Sequence, residues 1–104
     1  MLVMLDDIQF KDEETFFTFM SQSLGLGVDG IDNLDKLYDV VSEYDDELEI
    51  IINDYDDVTD DMRKFAKKAV GVFMDCRMVN KKLEVTFMHD VDDDIVVSEA
   101  LSNE

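Results

Sequence analysis

The sequence predicts an α/β fold: a small three-stranded parallel sheet with helices packed on it, in the order β-α-α-β-α-β. Three observations carry that prediction. Short apolar runs fall at residues 1–9, 48–53 and 83–88. The segments between them repeat their apolar residues at helical spacing. Strands separated by helices need crossover connections, and those pair them in parallel.

Leu2, Val3, Met4, Leu5 and Ile8 make residues 1–9 a first strand. Asp12 is placed to cap a helix, and Glu13 and Glu14 suit the positive helix end. That helix runs to about Ser23 or Leu24, with Phe16, Phe19, Met20 and Leu24 as its buried stripe and Phe17 just beside it. Gly25, Gly27 and Gly30 then break the chain. Asp32 or Asn33 caps a second helix that runs to about Glu43. Residues 48–53 are aliphatic and β-branched with turn signals on both sides, which predicts a central strand covered on both faces. Residues 53–61 form an acidic loop without apolar period. Thr59 or Asp60 opens a third helix, with Phe65, Ala69, Val72, Phe73 and Cys76 on one face, ending near residues 77–80. Cys76 therefore reads as an inert core thiol. Residues 83–88 alternate as a strand with one buried face. The acidic segment 89–104 contains Ile95-Val96-Val97 and is compatible with a further edge strand, a short helix or disorder. The organisation is thus one domain over residues 1–88 and an acidic extension over 89–104.

Charge narrows the function. The net charge is −18, with 27 acids against 9 bases. It is unevenly placed: residues 1–61 hold only Lys11 and Lys36 as bases, whereas Arg63, Lys64, Lys67, Lys68, Arg77, Lys81 and Lys82 fall within 62–88. An acidic front half repels phosphate backbones, which argues against direct nucleic-acid binding. It attracts a basic protein and speeds encounter with it. The apolar fraction of 46% is too high for a disordered chain. The single cysteine implies no disulfide, and the start of the chain lacks a basic signal-peptide region. No run approaches the length of a membrane span. A cytoplasmic protein is the expectation.

Signatures of catalysis are lacking. One His and one Cys offer no nucleophile–base pair by spacing, and Gly25-Leu26-Gly27 is not a phosphate loop. Asp90, Asp92 and Asp94 match the first ligand positions of a calcium loop, but Ile95 and Leu101 stand where Gly and Glu are needed. The reading is a binding protein without cofactor or dedicated metal site. Its most informative stretch is Asp32-Asn33-Leu34-Asp35-Lys36-Leu37-Tyr38-Asp39-Val40-Val41. Leu34, Leu37, Tyr38 and Val41 form one stripe of a helix, while Asp32, Asp35, Asp39 and Glu43 form the opposite one. Such a helix buries one side and aims a row of acids at a basic partner.

These residues resemble the barstar family of intracellular ribonuclease inhibitors. The match lies in Leu24-Gly25-Leu26 and in Gly30-Ile31-Asp32-Asn33-Leu34-Asp35-Lys36-Leu37-Tyr38-Asp39, set against a family pattern of Gly, acid, Asn-Leu-Asp, small residue, Leu, aromatic, Asp. It extends in element order over about residues 1–88. The resemblance implies a three-stranded parallel sheet and a function as a nuclease inhibitor or immunity protein. An acidic helix and the loop before it would occupy the nuclease active site, with carboxylates standing in for substrate phosphates. Asp35 and Asp39 would be the anchors, Asp39 taking the catalytic phosphate site. Asp32 and Glu43 would supply steering charge, and Asp29 and Asn33 would lie in the contact region. Asp75, near the end of the third helix, would match the family's acid there. The chain departs from the family in having Gly27-Val28-Asp29 where the loop usually carries Tyr, Tyr38 for the usual Trp, a short 53–61 loop, and the extension after Met88. The implied partner is a secreted basic nuclease. The competing reading is a DNA mimic or regulatory adaptor that binds a basic nucleic-acid-binding protein through acids spread over a longer surface, including residues 54–61 and 90–94.

Overall fold

Alternation along three short strands builds one open sheet whose two faces differ sharply. The computed structural model describes residues 1–27 and 30–88. The strands are β1 (Leu2–Leu5), β2 (Leu48–Ile52) and β3 (Leu83–Phe87); the helices are α1 (Glu13–Ser23), α2 (Leu34–Ser42) and α3 (Asp60–Val79). The chain order is β-α-α-β-α-β, and all pairings are parallel with β2 in the centre. Leu2, Glu49 and Glu84 lie in one row across the sheet, and Met4, Ile51 and Thr86 in another. None of the described helices is long and apolar enough to cross a membrane.

Val3, Leu5, Leu48, Ile50, Ile52 and Leu83 point to the helices and are buried. Their neighbours point the other way, where Leu2 and Met4 stay 56% and 46% exposed. The central strand is therefore covered on one face only by the described residues, contrary to the expectation of double cover. The cause is topological. Strands laid down in the order β1-β2-β3 advance in one direction, so right-handed crossovers place every intervening helix on the same side.

Local chemistry sets the element ends. β1 is shorter than its apolar run because Asp6 folds the chain back. The Asp6 carboxylate accepts from the Ile8 N–H at 2.9 Å, and the Asp6 N–H donates to Gln9 Oε1 at 2.9 Å. Asp12 caps α1 by accepting from the Thr15 N–H at 2.7 Å, which holds its carboxyl below the ordinary carboxylate range. At the other end Gly25 adopts φ 74°, the left-handed turn that ends a helix without a Cβ clash. The N–H groups of Gly25 and Leu26 then reach back to the carbonyls of Gln22 and Ser21. Thr59 caps α3, accepting from the Met62 N–H at 3.2 Å.

The core is aromatic at its centre. Phe16 is fully buried, stacks on Phe10 at 5.1 Å between ring centroids, and meets Phe17 and Phe65 edge-on at 5.3 and 5.5 Å. Phe17 is buried, whereas Phe19 is only partly so, the reverse of the predicted stripe. Tyr55, inside the acidic loop, is buried against Phe10. On α3 the buried face adds Met62, Ala66 and Val70 to the expected residues, and Val72 sits at its margin. Phe16→Ala is expected to lower unfolding free energy by about 3–5 kcal/mol in urea titration, and Phe19→Ala by clearly less.

Candidate partner-binding face

α2 is a short helix whose stability comes from what it packs on and how its ends are tied. Asn33 is its N-cap: the side-chain oxygen accepts from the Lys36 N–H at 2.8 Å, while Nδ2 donates to Asp32 Oδ1 at 3.0 Å. Asp35 lies in the first turn, where the helix dipole favours an anion. Leu37 and Val41 are fully buried, and Leu34 packs partly against the core. Tyr38, expected in the apolar stripe, is instead 36% exposed. At helical pitch it lies about 60° from the Leu34–Leu37–Val41 centre line, at the rim rather than under it.

Asp32, Asp35, Asp39 and Glu43 are all exposed; by helical spacing Asp35 and Asp39 lie on the side of α2 away from the core, with Asp32 just before the N-cap and Glu43 at the C-cap. Asp35 and Asp39 are one turn apart, a rise of about 6 Å. Lys36 falls on this side by spacing and tempers the row without reversing its sign. Asp75 is exposed on α3, one residue from Cys76, whose Sγ lies 3.6 Å from the Tyr38 carbonyl oxygen. Asp75 thus belongs to the helix beside α2 and not to the row itself. Asp29 lies outside the described residues, as does the whole of 89–104 with Asp90, Asp92 and Asp94. Among the described residues no group of three or more His, Cys, Asp or Glu side chains is arranged to hold a metal ion.

The two buried polar side chains among the described residues both serve the segment that carries the acids. Ser21 sits on α1. Its hydroxyl donates to the Phe17 carbonyl at 2.8 Å and accepts from the Ile31 N–H at 2.7 Å, fixing the chain just before α2. Gly30 makes this approach possible, because a Cβ there would lie 2.5 Å from the Ser21 hydroxyl oxygen. Asn80, just after α3, works at the far end. Its Nδ2 donates to the carbonyls of Val41 and Tyr44 at 2.9 and 3.2 Å, and its Oδ1 accepts from the Lys82 N–H at 2.9 Å. It thereby adds a side-chain donor to the carbonyls in the last turn of α2 and just beyond it. Neither residue was singled out from sequence. The available signals were a Ser on the inner face of α1 and an Asn directly after the apolar face of α3.

Beside the N-terminal end of α2 a shallow hollow runs between α1 and the incoming chain, lined by Thr18, Gln22, Leu26, Gly27, Ile31 and Asp32. Elsewhere two cations tether acidic loops through backbone oxygens. Arg63 Nη2 donates to the Asp56 carbonyl at 2.8 Å and Lys82 Nζ to the Asp45 carbonyl at 3.0 Å. Neither family models nor characterised protein sequences match this chain.

Removing the Ser21 hydroxyl leaves the Ile31 N–H buried without its acceptor. Ser21→Ala is expected to cost about 1–3 kcal/mol in urea unfolding, and Gly30→Ala to destabilise through the Cβ contact. Burial, with the Asp75 charge beside it, pushes the Cys76 thiol up to about 12. A raised thiol pKa keeps the native state protonated, so this contribution is intact below about pH 9, the ordinary value, and is lost as pH climbs toward 12. At pH 8 the native protein should leave Cys76 unreacted with a disulfide reagent over minutes, and unfolding should release one reactive thiol.

Proposed function

We propose that this chain is a barstar-like inhibitor of a ribonuclease or related nuclease toxin, acting by occlusion and phosphate mimicry. The observation that supports the reading best is the construction of α2: a row of exposed carboxylates on a helix held at both ends by buried hydrogen bonds. A row of anions in a fixed geometry suits the cationic pocket of an enzyme that binds phosphodiesters. Fixing it beforehand removes ordering cost at binding. Asp35 and Asp39 meet the catalytic cations, Asp32 and Glu43 steer, and Asn33 holds the helix start. Asp75 flanks the contact. The chain performs no reaction; inhibition follows from filling the site. It acts in the cytoplasm of the cell that makes the nuclease.

The loop tyrosines that the family usually presents have no counterpart in Gly27-Val28-Asp29. The mode of inhibition therefore carries over more directly than the identity of the enzyme.

The test is inhibition of a panel of small secreted basic ribonucleases and DNases by wild type and variants with unchanged circular dichroism. Asp35→Ala and Asp39→Ala should each weaken binding by about 2–5 kcal/mol, roughly 30- to 5,000-fold, because a cation in the enzyme is left buried and unpaired. Association should slow as salt rises. The Asp56→Ala/Asp57→Ala double variant should bind as wild type does. A folded Asp35→Ala/Asp39→Ala double variant that inhibits as well as wild type would remove the site assignment. If the Asp56 and Asp57 changes carry the loss instead, the extended-surface DNA-mimic reading takes over.

A further inference from the structure

An open sheet has two edge strands, and here they are finished differently. Parallel pairing leaves every second residue of an edge strand with its N–H and carbonyl turned away from the sheet. In β1 the Met1 carbonyl accepts from the Glu49 N–H and the Leu5 carbonyl from the Asn53 N–H, so only Leu2 and Met4 turn their backbone groups outward. That edge stops at Asp6, whose N–H is taken by Gln9 Oε1, and its inward side chains Val3 and Leu5 are buried. In β3 the Lys82 carbonyl accepts from the Leu48 N–H, and the Met88 N–H donates to the Ile52 carbonyl. Lys82, Glu84, Thr86 and Met88 therefore serve β2, while Leu83, Val85 and Phe87 turn their backbone groups outward. The Leu83 N–H bonds the Asn80 carbonyl at 3.2 Å. The Val85 and Phe87 N–H groups and the Leu83, Val85 and Phe87 carbonyls have no backbone partner among the described residues.

β3 also lacks the features that normally block an edge. Its register with β2 is unbroken, it contains no proline, and the inward side chains Leu83, Val85 and Phe87 carry no charge. Val85 and Phe87 are only partly buried, so the helical cover stops short at this edge. A shallow hollow runs along the strand, lined by Arg77, Leu83, Glu84, Val85 and Thr86. The geometry points to a second copy of the chain as the occupant: two β3 strands pair antiparallel across a two-fold axis at Val85, joining two three-stranded sheets into one. In this register the strand is its own complement. Each Val85 exchanges both hydrogen bonds with Val85 of the other copy, and each Phe87 N–H meets the Leu83 carbonyl of the other. On the helical side Leu83 lies opposite Phe87, which extends the apolar layer over the exposed parts of Val85 and Phe87. On the open side each Glu84 lies opposite a Thr86. Sliding one strand by two residues in one direction sets the Glu84 carboxylates against each other. Sliding it the other way carries Leu83 past the end of the facing strand. Charge also selects this edge. Two molecules of charge −18 repel, but residues 77–88 carry Arg77, Lys81 and Lys82 against Glu84, so the repulsion is least here.

The pairing uses neither Asp35 nor Asp39, so it stands apart from the inhibitor reading. The test is sedimentation velocity of the full chain, which should show a monomer–dimer equilibrium that shifts to dimer with concentration. Salt should tighten it by screening like charge, the opposite of its effect on a basic partner. Val85→Pro removes an outward N–H and leaves the ladder to β2 whole. It should weaken dimerisation on the order of tenfold or more, since two inter-chain hydrogen bonds are lost. Met4→Pro makes the same change on the β1 edge and should leave dimerisation as in wild type, with circular dichroism confirming that both variants fold. Cysteine cross-linking reads the register without proline, and the buried Cys76 does not compete. Under mild oxidation a mixture of Glu84→Cys and Thr86→Cys proteins should form the mixed dimer faster than either variant links to itself. A chain that stays monomeric up to its solubility limit, whether the Val85 amide exchanges freely or is protected by another segment, would overturn the proposal. So would a folded Val85→Pro protein that dimerises like wild type, or self-linking as fast as mixed linking.

Discussion

The structure depends on two neutral hydrogen-bonding side chains buried at opposite ends of one short helix. A nine-residue helix is marginal alone, because few hydrogen bonds are gained for the residues ordered. Leu37 and Val41 anchor its inner face, with Leu34 and Val40 packing partly beside them. Ser21 fixes the chain entering it through the Ile31 N–H, and Asn80 fixes the carbonyls leaving it. One clamp comes from α1 and the other from the end of α3, so the pose of the acidic row is set by the whole helical layer.

That both clamps are uncharged matters in a chain of net charge −18. A buried ion pair would have to recover a desolvation cost of several kcal/mol per ion. A serine and an asparagine avoid that cost and are insensitive to salt screening. Charge is left to the surface, where it repels itself in the free protein; on the proposed reading a basic partner relieves that repulsion. Salt should therefore act on recognition far more than on the fold. The same separation explains Cys76: enclosed between α2 and α3, it serves as a small apolar side chain, and its raised pKa keeps it so.

Much of this was legible in the sequence because period and capping are local. The alternation at Leu83–Phe87, the caps Asp12 and Thr59, and the split faces of α2 follow from neighbours three or four residues away. What was not legible depends on distant parts of the chain. Ile50-Ile51-Ile52 reads as a doubly covered strand, and only the strand order reveals that all three helices fall on one side. Phe17 and Phe19 are equivalent by composition, and the choice between them was made by Phe65, nearly fifty residues on, which meets Phe17 edge-on at 5.5 Å. Tyr55 lies in an acidic loop without apolar period, and its burial depends on Phe10, 45 residues earlier in the chain. Ser21 and Asn80 read as ordinary polar residues because their partners, Ile31, Val41 and Tyr44, lie 10, 39 and 36 residues away.

The central claim is that the outward face of α2, held in this pose, is the surface that enters a nuclease. A crystal structure of the chain bound to a nuclease it inhibits tests this most directly. The account predicts the Asp35 and Asp39 carboxylates within ion-pair distance of the enzyme's catalytic cations, with the Ser21–Ile31 and Asn80–Val41 hydrogen bonds unchanged. An enzyme seated on the loop around Asp56 and Asp57, with α2 facing solvent, would contradict it.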